Sequence, residues 1–209
     1  MNARRLEKLD SERRNRLFQT AAEEFAEHGY DAASLNRIIE KSGIGKSSLY
    51  YYFDDKADLF TTIVERAIAL LIKDIGGFDP AKLTAETYWL ALEEFCRRVT
   101  ELSARKVWYV KLGRLFYQLR GKRREGAATD RTVRAARGWL QTVIERGQAL
   151  GVVRSDLPTT LLVDGTLGLA EAIDRWFMAH WDDFDDAERL RLATQQLELF
   201  RRLLEPEAQ

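Results

Sequence analysis

The stretch from Ser34 to Phe53, SLNRIIEKSGIGKSSLYYYF, constrains this chain more than any other. It reads as two short helices joined by a tight glycine turn. Ser34 offers a hydroxyl to a free amide of the first turn, an N-cap. Leu35, Ile38, Ile39 and Ser42 make the inner face of the first helix, and Gly43 ends it. The second helix starts near Gly45 or Lys46. At about 100° per residue, Phe53 lies about 40° from Leu49, so these two point inward together. Ser47 and Tyr51 lie about 160° from Leu49 and face outward, flanked by Ser48 and Tyr50. Lys46 sits at the helix start, where its long stem can reach round.

The residues on either side support helices. Leu17, Phe18, Ala21, Ala22 and Phe25 fall on one helical face, with Gln19, Glu23, Glu24 and Glu27 on the others. Gly29, just after His28, is a helix stop, and His28 suits a C-terminal cap. A further helix begins at Asp54 or Asp55, where Asp55 and Asp58 resemble a short capping box. Lys56 in that first turn opposes the helix dipole, which a nearby phosphate would explain.

An outer face of Lys, Ser, Ser, Tyr and Tyr carries donors and acceptors for base edges and phosphates. It also carries aromatic surface for thymine methyl groups, and the free amides of the helix start suit a phosphate. A rigid probe of this width suits the DNA major groove. The bland alternative makes Tyr50, Tyr51 and Tyr52 half-buried core aromatics, a description that fits part of Tyr52. Gly45-Lys46-Ser47 looks like the tail of a phosphate-binding P-loop. That motif needs a glycine where Glu40 stands and a strand where a helical pattern runs, so a nucleotide site is excluded.

Residues 14 to 60 resemble the DNA-binding domain of the tetracycline-repressor (TetR) family of bacterial transcriptional regulators. The carrying residues are Phe25, Gly29, Tyr30, Ser34, Ile38, Gly43, Lys46, Leu49, Tyr50, Tyr52, Phe53, Lys56 and Leu59. The resemblance implies DNA-facing positions at Ser34, Asn36 and Arg37, at Gly45, Lys46, Ser47, Ser48, Tyr50 and Tyr51, and at Lys56. It departs from the family at Gly45, where a capping Ser or Thr is usual, and at Ile39, where Ala is usual.

Bulk properties narrow the class. With 33 Lys and Arg against 33 Asp and Glu, the net charge is zero, unlike a non-specific nucleic-acid binder. The charge is uneven, however. Arg4, Arg5, Lys8, Arg13, Arg14 and Arg16 crowd the start, while Asp182, Asp183, Asp185 and Asp186 gather near the end. Cys96 is the sole cysteine and lies on an apolar face, so neither a disulfide nor a cysteine-zinc site is expected. His28 and His180 have no ligand spacing around them; no metal and no cofactor are expected. The charged opening residues do not read as a secretion signal. Asp164, Glu171 and Asp174 interrupt the best apolar run, so a cytoplasmic protein without a membrane span is expected.

The remaining chain reads as helices, giving an all-α fold. The expected domains are 1–54, a three-helix helix-turn-helix module, and 55–209, a larger helical domain for effector binding and dimerisation. Gly76-Gly77 breaks helix four near Asp74. Helices are expected from about Leu83 to Leu102, Lys106 to Leu119, Thr129 to Leu150, Pro158 to His180, and Asp186 to Leu204, with a basic loop from Gly121 to Gly126. Asp185 or Asp183 caps the last helix. In the last two helices, Leu162, Gly165, Leu169, Ile173, Leu190, Leu197 and Phe200 line apolar faces. The family resemblance implies that these two helices form a four-helix bundle with a second subunit, although periodicity alone fits an intramolecular core equally. Trp89, Phe95, Trp108, Tyr109, Leu112, Phe116, Trp139, Val143 and Trp176 are the candidate lining of an effector site, apolar as small-molecule sites are. Plain core packing is the competing reading for each.

The expected function is a dimeric, one-component DNA-binding regulator that acts as a repressor on a pseudo-palindromic operator. A small hydrophobic or aromatic effector would release it. Two other readings remain open at this stage. One is an adaptor that keeps the fold but binds protein. The other is a small helical enzyme, for which no nucleophile or histidine constellation is visible.

Overall fold

The computed structural model describes residues 9–106, 108–119 and 127–207, and among them regular structure is helical throughout. The expected basic loop from Gly121 to Gly126, and Arg4, Arg5 and Lys8, lie outside the described residues. Nine α-helices are present among the described residues. They are α1 (Ser11–Ala32), α2 (Leu35–Ser42), α3 (Lys46–Tyr52), α4 (Lys56–Ile75), α5 (Tyr88–Arg105), α6 (Trp108–Leu119), α7 (Ala127–Ala149), α8 (Thr159–Ala179) and α9 (Asp186–Leu204). Short 3-10 turns occupy Pro80–Lys82 and Trp181–Asp183. By internal contacts the chain divides into residues 1–69 with 108–131, and 70–107 with 132–209. The expected functional boundary after residue 54 falls inside the first of these units.

The first unit packs α1 against α2 and α6. Leu17, Ala21 and Phe25 of α1, Ile38 of α2, Leu49 of α3, Leu59 and Phe60 of α4 and Val110 of α6 are almost fully buried. Each large apolar side chain of this kind contributes about 1.5–3 kcal/mol of burial free energy before conformational costs. Phe60 meets Phe25 and Tyr30 edge-on, at 5.2 and 5.5 Å between ring centres. α1 is broken at Gly29, where φ is 73°, a left-handed conformation that glycine adopts without a Cβ clash. The amide of Ala33 then closes the end on the Gly29 carbonyl at 3.1 Å.

The second unit holds a core of Tyr88, Trp89, Val143, Ile144, Val153, Leu162, Val163, Leu197 and Leu204. The expected helix start near Leu83 is corrected to Tyr88. Thr84 and Thr87 explain the delay: their hydroxyls lie 3.0 Å apart, and each accepts from the other's amide, at 3.0 and 3.3 Å. These local bonds give the backbone an alternative to a helical turn. Asp185 caps α9 as expected, in a reciprocal capping box with Glu188. Cys96 is half-buried, and burial followed by the nearby Glu93 charge pushes its thiol pKa up, which disfavours the reactive thiolate.

Candidate nucleic-acid interface

α2 and α3 are joined at Gly43, whose φ of 70° places it in the left-handed region and lets its amide cap the Ile39 carbonyl at 3.1 Å. α3 then starts at Gly45 with no side-chain cap, as its glycine dictates. One side of α3 is anchored, with Leu49 and Phe53 only 1% and 3% exposed. The opposite side is open: Tyr50 and Tyr51 are 49% and 48% exposed, and Lys46 and Ser47 are exposed as well. Ser48 and Tyr52 are half-buried, and the Tyr51 and Tyr52 rings pack edge to face at 5.2 Å. The outward cluster therefore combines a cation, hydroxyls and aromatic faces on a short rod whose rotation the core fixes.

The flanking candidates behave differently. Asn36 is exposed in the first turn of α2. Ser34 is half-buried and caps α2, its Oγ accepting from the Arg37 amide at 3.4 Å. Its own amide donates to Oε1 of Glu24 at 2.8 Å. Arg37 stays 44% exposed, but its guanidinium bonds back to the module. Nε donates to Glu24 Oε1 at 2.8 Å, Nη2 lies 2.6 Å from the same oxygen, and Nη2 also donates to the Ala32 carbonyl at 2.9 Å. Lys56 is likewise held, its Nζ donating to the carbonyls of Asp31 and Ala33. Two of the cations read as DNA-facing are thus tied to protein groups, because carbonyls at the end of α1 and a buried carboxylate stand within their reach.

Glu24 is the residue that sequence reasoning missed. Its carboxylate reads as a polar-face residue of α1, yet it is 2% exposed. The signal was present in the spacing. Glu24 lies seven residues after Leu17 and three after Ala21, on the same helical face as these core residues. Burial alone would raise its pKa. The Arg37 hydrogen bond, the Ser34 amide and the charges of Arg37 and His28 outweigh that and hold the carboxyl below its ordinary value. His28, read as a helix cap, instead places Nε2 3.6 Å from Glu24 Oε2.

The effector candidates fall into several surroundings. In the second unit, Trp89 and Val143 belong to the close-packed core. Phe95 and Trp139 stack at 5.5 Å, each edge-on to Phe78. Trp176 is 45% exposed and stacks on His180 at 4.5 Å. In the first unit, Tyr109 and Leu112 are buried and Phe116 is half-buried. The side chain of Trp108 lies outside the described residues.

Among the dimer candidates, Leu162 and Leu197 are 2% and 7% exposed in the single chain and pack in its own core. Gly165 is exposed, and Leu169, Ile173, Leu190 and Phe200 are half-buried. An open, mainly apolar groove between α8 and α9 is lined by Ala172, Ile173, Trp176, Leu192, Gln195, Gln196 and Leu199. No helix among the described residues is long and apolar enough to cross a membrane.

Comparison with known proteins converges on the same module. Residues 17–63 match the family model for bacterial regulatory proteins, tetR family. The chain is 33% identical over 64 residues to the HTH-type transcriptional activator FasR of Mycolicibacterium smegmatis, covering 31% of this chain and 29% of that protein. It is 38% identical over 61 residues to an HTH-type transcriptional regulator of Staphylococcus aureus, 29% of this chain and 33% of that one. The match therefore spans about a third or less of these curated relatives. Among solved structures, the fold is similar to the transcriptional regulator FadR from Bacillus subtilis in complex with stearoyl-CoA. That likeness has a TM-score of 0.71 at 18% identity over 89% of this chain and 96% of the other. It is also similar to a TetR family transcriptional regulator from Chloroflexus aurantiacus, with a TM-score of 0.62 at 21% identity over 99% and 100% of the two chains.

Proposed function

We propose that the chain, whose residues 17–63 match the model for bacterial regulatory proteins of the tetR family, is a one-component transcriptional repressor of that family. In this reading it binds a pseudo-palindromic DNA operator as a homodimer in the cytoplasm. The observation that carries the reading is the two-sided character of α3: Leu49 and Phe53 are locked in the core while Lys46, Ser47, Tyr50 and Tyr51 project outward. Polar and aromatic groups on a fixed rod can read base edges, and Lys46 can meet a phosphate. Asn36 and Ser48 border the same surface, and Ser34, Gly45 and Lys56 bear on it by holding backbone in place. Two-fold symmetry places two such rods one DNA turn apart.

The second unit supplies the subunit contact and the sensor. The open face of α8 and α9, with Gly165, Leu169, Ile173, Leu190 and Phe200 beside the groove, is the surface assigned to the second subunit. A small hydrophobic or aromatic effector is assigned to the helical body. The stearoyl-CoA bound by the Bacillus subtilis FadR favours an apolar effector here too. Effector and operator weaken each other's binding by the same factor, since linkage is reciprocal.

The test is a gel-shift titration over salt with DNA from upstream of the protein's own gene and with random DNA of equal length. The expected result is a preference for the upstream DNA, two subunits or more per site, and binding that falls steeply with salt. Equal affinity for both DNAs would overturn the reading.

A further inference from the structure

We propose that Arg37 is a positioning residue for operator recognition, acting through buried Glu24, and not a residue that touches the DNA. The proposal rests on the operator-binding role above and says how the helix-turn-helix is aimed.

Three contacts to Glu24 fix the entry to α2. The carboxyl of Glu24, with 1% of its side chain exposed, accepts from the Ser34 amide at 2.8 Å and from Arg37 Nε at 2.8 Å, both at Oε1. Arg37 Nη2 lies 2.6 Å from that oxygen. Ser34 is the N-cap of α2 and Arg37 its third residue, so one oxygen of α1 grips the first turn of α2 by backbone and by side chain. The remaining bond from Nη2, to the Ala32 carbonyl at 2.9 Å, ties the same guanidinium to the chain entering that turn. A planar guanidinium can hold such partners at once; an ammonium cannot reproduce the fork. Glu24 itself is too deeply buried to meet DNA, so a loss of specific recognition on removing its charge is transmitted by the groups it holds, Ser34 and Arg37 of α2 foremost.

This makes the sign of one experiment decisive. If Arg37 served a phosphate and Glu24 merely competed for it, neutralising Glu24 would free the cation and tighten binding. If the pair aims α2, neutralising either member loosens the aim. Specific binding then falls in both cases, while non-specific binding, which follows total charge, holds or rises when Glu24 is neutralised.

The experiment uses full-length protein and a duplex selected by the wild-type chain from a random-sequence pool, with a scrambled duplex as control. Glu24→Gln, Arg37→Gln, Arg37→Lys and the double variant Glu24→Gln/Arg37→Gln are titrated across salt. Glu24→Gln is expected to lower affinity for the selected duplex about tenfold, with affinity for the scrambled duplex equal or higher. Arg37→Lys and Arg37→Gln should lower specific affinity similarly, and the double variant should fall no further than either single one. The salt slope of Arg37→Gln should match wild type. General misfolding would depress both duplexes alike, so the ratio between them separates aim from stability. Arg37→Lys carries the same test should Glu24→Gln fail to fold. Tighter or unchanged binding by Glu24→Gln, wild-type affinity in Arg37→Lys, or a slope reduced by about one in Arg37→Gln overturns the proposal. A selection that enriches no duplex overturns the operator reading itself, before any variant is made.

Discussion

Lys56, at the start of α4, bonds to the carbonyl of Asp31 at the end of α1: Nζ donates to that oxygen at 3.0 Å and to the Ala33 carbonyl at 3.1 Å. The ammonium also lies 4.9 Å from the centre of the Tyr30 ring. A lysine that opposes its own helix dipole is thereby explained within the protein, by the negative ends of another helix. Lys56→Met should remove both bonds and destabilise the protein by about 1–3 kcal/mol, seen as a lower midpoint in urea unfolding. A midpoint equal to wild type would mean that the anchor contributes nothing.

Lys46 makes the opposite case. It is exposed and has no ion pair among the described residues. Lys46→Ala should change stability by less than about 0.5 kcal/mol while weakening operator binding and lowering the salt slope by about 0.9, the signature of one lost phosphate contact. Tyr51→Ala should weaken specific binding without changing that slope. Electrophoretic titration at several salt concentrations distinguishes the two, and a slope unmoved by Lys46→Ala counts against its contact with phosphate.

Gly147 sits where no side chain fits. A Cβ there would lie 2.3 Å from Val153 Cγ2 and 2.8 Å from Cζ and Oη of Tyr88. Tyr88 cannot yield easily, since it is fully buried and donates to the Val143 carbonyl at 3.2 Å. Gly147→Ala should therefore cost about 1–3 kcal/mol through overpacking, read as a lower thermal midpoint. A variant as stable as wild type would show that this corner of the core is softer than its geometry.

The groove between α8 and α9 carries exposed Trp176 and Leu199, at 45% and 47%. Trp176→Asp with Leu199→Asp should leave helix content intact, because neither residue supports the single chain's core, and should shift the protein toward monomer in sedimentation velocity. A double variant that sediments like wild type would place the subunit contact elsewhere.

Acid should loosen the helix-turn-helix through Glu24. Arg37, His28 and the Ser34 amide hold its folded pKa below the ordinary 4.5, despite burial. A depressed carboxylate pKa stabilises the fold above the unfolded value, and that contribution disappears as pH falls through the folded value. Wild type should thus lose stability below about pH 4.5 more steeply than Glu24→Gln, in urea melts from pH 7 to pH 3. Parallel pH profiles for the two proteins would contradict a depressed value.

Local chemistry made much of this protein legible. Ser34, Asp185 and the glycines at 29 and 43 announce their caps and breaks because a cap or a left-handed turn is decided within a few residues. Leu49 against Ser47 and Tyr51 could be sorted by rotation alone, since helical geometry fixes side-chain direction without reference to the rest of the fold. Glu24 shows the limit. Its spacing put it under Leu17, but a carboxylate is tolerated there only because Arg37 and Ser34, distant in sequence, come to meet it. Arg37, though 44% exposed, and Lys56 are tied to protein groups in a way no local spacing announces, for their partners exist only once α1, α2 and α4 are assembled. Leu162 and Leu197 could equally have faced a partner or their own core, because periodicity states that a face is apolar and not what covers it. The sequence by itself determined the helices, their ends and the outward face of α3, all set by short-range geometry. The tertiary structure alone decided which charges are spent inside and which apolar faces stay open, because these depend on what long-range packing brings within a few ångströms.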